Sequence, residues 1–411
     1  MHFKSIKARK DWRTTAANLG YLSTIFDQPP YWIEALDEPF CAVFTQSEIE
    51  KLIEPATKTI IDLAAQTVEE VLNGKRSKEY LDRLKVPVRC REAIRISWNA
   101  RESNLWGRLD LSYSQGQLKL LELNFDGAVS LYEAAVFQRI WLDQYSETEK
   151  DENIIGQFSS IHQRLLEAFA SLIPEDKTVH FTSFGNTPEE DETIKYLQSC
   201  ALLANRKSQY LLIKSLGYDK QGRLIDLENN PIEYLVKLYQ WEVLFREDSK
   251  IAEKTGKSVL IPLVEKQQVH FFEPAWRSLL SNKGILSVMS ELFPDCPYLL
   301  KAAVDGSPEA EELKKKPYAK KPLHGLQGES VSLVYPDQPE MSFSIPGTYG
   351  KEGFLIQELH ALPTYNNYHI LVGSWVINDK PSGVGIRADL SPITTGNHCL
   401  FVPHMVMVDP I

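Results

Sequence analysis

The sequence has few cysteines and no pattern among them. Cys41, Cys90, Cys200, Cys296 and Cys399 are scattered through 411 residues, odd in number and without a C-x-x-C pair. Neither a disulfide framework nor a cysteine-based zinc site is expected, and the scatter fits a reducing compartment. Long apolar runs are also missing. Nowhere do about 18 apolar residues follow one another, so no membrane span is expected. Lys4, Lys7, Arg9 and Lys10 are followed by Asp11, Trp12, Arg13 and Thr14 where a signal peptide needs an apolar core. A cytoplasmic protein is expected. There is no surplus of positive charge: the formal net charge is −10, which disfavours a nucleic-acid partner held by counterion release. Neither a Walker A loop nor a G-x-G-x-x-G turn occurs, and there are no repeats or low-complexity stretches.

What remains is ordinary globular material, 43% hydrophobic and 24% charged. It is enough for a large core without crosslinks. A helix is expected to begin at Thr45-Gln46-Ser47-Glu48, which has capping-box spacing, and to stop at Asn73-Gly74. Its apolar residues, Ile49, Leu52, Ile53, Ala56 and Ile60 onward, keep a helical period. Further helices are expected over residues 130–144, 154–172, 189–204 and 276–293, the last broken near Asn282. A hairpin is expected over 105–127, turning at Gln115-Gly116, with a strand at 179–184 and a strand–turn–strand over 218–235. From Tyr318 onward the pattern is one of strands, interrupted by a Gly-, Ser- and Pro-rich stretch at 325–350 that predicts a mobile flap. Helices and largely antiparallel strands in separate runs predict an α+β architecture.

Three groups of residues carry chemistry. Glu122 and Asn124 stand two apart in an apolar strand and so share a face. Asp110 joins them only if the hairpin register has the right parity. A two-residue loop would set Asp110 opposite Leu121, whereas a three-residue loop with a left-handed Gly116 would set it beside Glu122. Oxygen donors converging there suit Mg²⁺; the alternative is a solvated acidic hairpin face with Arg108 as its partner.

The second group is Lys321, followed by Gly325 and Gly328, with Lys283 upstream. A cation and backbone N–H groups in such an arrangement can hold phosphate oxygens, although each lysine alone also reads as a surface residue. The third is Arg387, at the end of a strand whose glycines, Gly383 and Gly385, would allow a ligand close approach. Arginine suits bidentate contact with phosphate, and an ordinary edge-strand arginine is the alternative.

Together these pieces resemble the glutathionylspermidine synthase family along nearly the whole chain. The resemblance rests on Tyr31-Trp32, Ser97-Trp98, residues 105–110 and 120–124, Gly156-Gln157-Phe158, Ile161-His162 and Glu190-Asp191-Glu192-Thr193. It continues through Lys237-Leu238-Tyr239-Gln240-Trp241-Glu242, Glu273-Pro274-Ala275-Trp276, residues 280–286, Lys321-Pro322, Gly373-Ser374-Trp375 and Phe401-Val402-Pro403-His404. It implies a permuted ATP-grasp fold with antiparallel and mixed sheets flanked by helices. The whole chain would form one synthetase unit: a substrate- and metal-binding core at 1–275, a lysine and flap region at 276–350, and the end of the ATP-grasp core at 351–411.

By position, Asp110, Glu122 and Asn124 would be Mg²⁺ ligands, and Lys283 and Lys321 would hold ATP phosphates, with Gly325 and Gly328 in the flap. Gln357, Glu358 and Leu359 would lie beside adenine. Arg108 and Arg387 would hold the transferred phosphoryl group. The implied activity is ATP-dependent joining of a carboxylate, peptide-like or otherwise small, to an amine, a polyamine among them, through an acyl-phosphate. A Mg-ATP-binding regulatory or assembly protein of the same fold is the alternative.

The sequence departs from the family in two places. Leu326 stands where the family's Lys-Pro-x-x-Gly-Arg-x-Gly motif has arginine. Phe125-Asp126-Gly127-Ala128-Val129-Ser130-Leu131 replaces Ala-Asp-Thr-Pro-Thr-Ser-Leu, removing hydroxyls from the peptide-binding side. The length suits a synthetase without the amidase domain of the bifunctional enzymes.

Overall fold

The computed structural model describes residues 1–21, 31–185, 188–396 and 399–410. The expected hairpin forms from strands Trp106–Ser114 and Gln117–Asn124. Its loop has two residues rather than three: Ser114 pairs with Gln117, and Gln115 and Gly116 both take positive φ, 52° and 74°. That left-handed pair is what a two-residue turn requires. A β-bulge between Asp110 and Leu111 then shifts the register, so Leu111 pairs with Leu120 and Asp110 with Glu122. Leu121 is the extra residue. Asp110 and Glu122 are therefore neighbours, and the bulge supplies the parity that loop length does not.

This hairpin is the edge of a six-stranded sheet. Trp106–Ser114 pairs antiparallel with Tyr368–Ile377, which pairs with Lys380–Asp389, and that in turn with Leu400–Val402. A five-stranded sheet runs in the order Ala302–Val304, Phe354–Glu358, Tyr318–Pro322, Ser332–Val334, Phe343–Ser344. Its last two strands come from the glycine-rich segment 325–350, which lies along one edge.

Not every sheet is antiparallel. Strands His270–Phe272, Tyr234–Lys237, Thr178–Ser183 and Lys207–Leu212 form a sheet that is parallel throughout. The helix Pro188–Leu203 is the crossover between two of them, as parallel neighbours require. The strand–turn–strand expected over 218–235 shrinks to Gly217–Tyr218 paired with Leu224–Ile225, because Tyr234–Lys237 joins the parallel sheet instead.

The helix after Thr45 carries its capping box: Thr45 Oγ1 accepts from Glu48 N at 3.1 Å, and Thr45 N donates to Glu48 Oε2 at 2.9 Å. It passes through a π-turn, Ile49–Ile53, into Glu54–Asn73. The wide turn lies just before Pro55, which lacks an N–H and whose ring crowds the preceding turn. The helix expected over 154–172 is a strand, Ile154–Gly156, followed by a helix, Ile161–Leu172. Gly156 has φ of 136°, which no helix accommodates. Residues 276–293 do break at Asn282, between Ser278–Ser281 and Ile285–Leu292. The Asn282 side chain holds the break, donating to Leu84 O at 2.8 Å and accepting from Gly284 N at 2.9 Å.

Candidate active site

Alternation along Trp106–Ser114 puts Arg108, Asp110 and Ser112 on one face. Arg108 grips Asp110 with Nε at 2.6 Å and Nη2 at 3.2 Å, while its Nη1 donates to Val129 O at 2.7 Å. Arg387 reaches the same carboxylate from two strands over, Nη2 to Oδ2 at 2.6 Å. Asn124 Nδ2 bridges the two acids, 3.0 Å from Asp110 Oδ2 and 3.0 Å from Glu122 Oε1. The glycines of this sheet make room for protein rather than for a ligand. A Cβ on Gly373 would meet Arg108 Cδ at 2.8 Å, and one on Gly385 would meet Trp375 Nε1 and the Phe401 ring at 3.1 Å.

The lysines come from the other side. Lys283, in the break after Asn282, lies 3.3 Å from Glu122 Oε2 and donates to Gly325 O at 2.9 Å. Lys321, on the five-stranded sheet, donates to Leu121 O at 2.9 Å and to Gln357 Oε1 at 2.8 Å. The carbonyl it uses belongs to the bulged residue. A cavity of about 320 Å³ is lined by all twelve residues that the sequence singled out: Arg108, Asp110, Glu122, Asn124, Lys283, Lys321, Gly325, Gly328, Gln357, Glu358, Leu359 and Arg387.

Burial alone would raise the Asp110 carboxyl pKa, but Arg108 and Arg387 outweigh it and hold the group far below the usual carboxylate range. Glu122 follows the same logic: burial opposes, Lys283 and Lys321 prevail over the repulsion from Asp110, and its pKa falls. Burial lowers Lys321 to about 8, so it is mainly charged at neutral pH. Two arginines and two lysines thus face two carboxylates. Within this cluster the surplus of positive charge suits a polyphosphate. Among the described residues no cluster of three His, Cys, Asp or Glu side chains forms a metal cage. Two carboxylates and an amide, its oxygen turned inward in place of Nδ2, are the donor types Mg²⁺ takes, with phosphate oxygens and water completing its shell.

Some residues of the site were not among those the sequence singled out. Ser112 continues the Arg108–Asp110 alternation and bonds His360, whose place directly after Gln357-Glu358-Leu359 was the available signal. Tyr31, Ser130 and Glu189 also line the cavity, with Tyr31 Oη 2.7 Å from Ser130 Oγ and Ser130 Oγ 3.3 Å from Glu189 Oε1. Burial, reinforced by Glu189 and Glu192, pushes the nearby Glu133 carboxyl well above its ordinary range.

Behind the site, Glu273 Oε1 accepts from Leu105 N at 2.9 Å and Trp106 N at 2.8 Å, fixing the start of the strand that carries Arg108. Burial raises its carboxyl to about 7 despite the nearby Arg277. A carboxyl raised on folding binds its proton more tightly in the native state. Stability from this group is therefore greatest below the unfolded value near 4.5 and declines as pH rises towards about 7. Glu273→Gln keeps the acceptor and removes the titration. On going from about pH 5 to pH 8, the wild-type Tm is expected to fall by roughly 2–4 °C relative to that variant. Parallel melting curves would mean Glu273 does not titrate in that window.

A family model of glutathionylspermidine synthase preATP-grasp matches residues 3–407. A Haemophilus influenzae protein provisionally named acid–amine ligase is 31% identical over 374 residues, covering 88% of each chain. Trypanothione synthetase of Crithidia fasciculata is 25% identical over 346 residues, 81% of this chain and 52% of the relative. The bifunctional glutathionylspermidine synthetase/amidase of Escherichia coli is 24% identical over 364 residues, 84% of this chain and 56% of the relative. The chain thus aligns with little more than half the length of these last two. Among solved structures, the apo form of a glutathione synthetase-like effector from Globodera pallida superposes with a TM-score of 0.52 at 10% identity. That alignment covers 97% of this chain and 99% of the effector. It establishes a shared α+β fold. Among the described residues no helix is long and apolar enough to cross a membrane.

Proposed function

The chain belongs to the glutathionylspermidine synthase preATP-grasp family, and on that premise we propose that it is an ATP- and Mg²⁺-dependent carboxylate–amine ligase with a permuted ATP-grasp site. The observation that carries the reading is the convergence of Arg108, Arg387, Lys283 and Lys321 on Asp110 and Glu122 within one cavity. Lys283 and Lys321 would hold the β- and γ-phosphates. Asp110, Glu122 and Asn124 would ligate Mg²⁺, which, when bound, neutralises charge on the transferring phosphoryl group.

The substrate carboxylate would attack the γ-phosphorus in line. Asp110 fixes the plane of Arg108 through a two-point contact and anchors one Nη of Arg387, which leaves their remaining N–H groups for phosphoryl and acyl oxygens. The amine would then attack the acyl-phosphate, with Arg108 or Arg387 stabilising the oxyanion and phosphate leaving as the amide forms. The 325–350 segment, closing over Gly325 and Gly328, would keep water from the acyl-phosphate. Leu326, half-exposed on the cavity wall, brings no charge to that cover. Glu189, on the cavity wall, supports a cationic acceptor such as a polyamine.

The test is ADP release from Mg-ATP across short peptides and other small carboxylates crossed with amines. Release is expected only when both partners are present. Release with a carboxylate alone would indicate a phosphotransferase, and Mg-ATP binding with no stimulation across the panel would favour a nucleotide-binding partner protein.

A further inference from the structure

The base end of the cavity has its obvious donors engaged by the protein itself. Glu358 N donates to Lys301 O at 2.8 Å, and Leu359 N to Pro317 O at 3.2 Å. Gln357 is turned to Lys321 and Leu120 O. These are the groups that would otherwise read a purine edge. The next residue, His360, also lines the cavity, and its ring has a fixed proton arrangement.

Ser112 Oγ lies 2.9 Å from Ala361 O, to which it can only donate, and 2.9 Å from His360 Nδ1. A serine hydroxyl has one proton. With that proton on Ala361 O, the oxygen accepts from Nδ1–H, and the neutral ring carries its free lone pair on Nε2. Burial lowers the His360 pKa, Lys119 adds to the effect and Glu358 opposes it, so the ring is neutral at physiological pH. Ser112 stands two residues beyond Asp110 on the same strand face, about 6.6 Å further from the phosphate pole.

We propose that His360, held as its Nδ1–H tautomer by Ser112, offers Nε2 as an acceptor to the exocyclic amino group of adenine and so selects ATP over 6-oxopurine nucleotides. The inference rests on the ligase reading's placement of a purine triphosphate in this cavity. Adenine presents a donor at position 6. Guanine and hypoxanthine present an oxygen there, and its lone pairs would face that of Nε2. A buried acceptor that loses its donor partner costs enough to discriminate strongly.

The experiment measures the affinities of Mg-ATP, Mg-GTP and Mg-ITP for the full chain, His360→Leu and Ser112→Ala, with the His360 tautomer read from ¹⁵N NMR. The wild type is expected to favour ATP over ITP by about 10- to 100-fold, with Nδ1 protonated. His360→Leu should bring the ratio within about threefold. Ser112→Ala should give an intermediate ratio and a mixed tautomer signal, which a merely structural role for Ser112 would not produce. An ATP preference that persists in His360→Leu, or Nε2–H in the wild type, overturns this proposal and leaves the ligase reading standing. Failure of every purine triphosphate to bind overturns both.

Discussion

Glu122→Ala is expected to lower amide-forming turnover by at least about 100-fold and to weaken Mg-ATP binding while the fold stays intact. The fold should survive because the Glu122 side chain is a quarter exposed and its ion pair with Lys283 spans 3.3 Å. Its loss leaves Lys283 on the cavity wall and still bonded to Gly325 O. Turnover should not survive, since Glu122 is one of the two carboxylates that Asn124 bridges and Asn124 cannot replace its charge. Asp110→Ala makes the contrast. Asp110 is buried between Arg108 and Arg387, and removing it leaves two guanidinium groups facing each other, at a cost of about 3–5 kcal/mol. Calorimetric Mg-ATP binding and thermal melts of the two variants separate the roles. Unchanged Mg-ATP affinity and rate in Glu122→Ala would refute the metal assignment.

Arg387→Ala is expected to lower kcat by about 100- to 1,000-fold with little change in the KM for ATP. Its guanidinium is oriented by Asp110 from a different strand than Arg108, so Arg108 keeps its own contacts when Arg387 is gone. Arg387→Lys should not restore the rate, because one ammonium cannot reproduce the planar fork that meets both Asp110 and a phosphoryl oxygen. Steady-state kinetics of the three proteins with a responsive acid–amine pair test this. A loss confined to KM would make Arg387 a binding residue only.

Much of the site was legible because strand alternation is local. Arg108 and Asp110, and likewise Glu122 and Asn124, stand two apart, and each pair needs only a strand to share a face. How the pairs meet was not legible in the same way. The bulge at Leu121 inserts one residue whose effect depends on pairing between strands, and no local propensity marks it. Gln357 illustrates a similar limit. Its expected place beside adenine came from resemblance, whereas its side chain turns inward to Lys321, 36 residues away in the chain.

The fold divides along the same line. Helices with caps, such as the one after Thr45, were readable. The parallel sheet was not, because parallel pairing is settled by how the Pro188–Leu203 crossover packs rather than by any residue within a strand. The strand Ile154–Gly156 was hidden for a related reason: its partner, His404–Met407, lies at the other end of the sequence.

Ligase chemistry at this site requires that a carboxylate be activated as an acyl-phosphate at the Arg108–Asp110–Arg387 cluster. The most direct measurement uses ¹⁸O-labelled carboxylate from any acid–amine pair that stimulates ADP release, with the released phosphate read by mass spectrometry. One ¹⁸O is expected to pass into phosphate for each amide formed. Amide formation with unlabelled phosphate would contradict it.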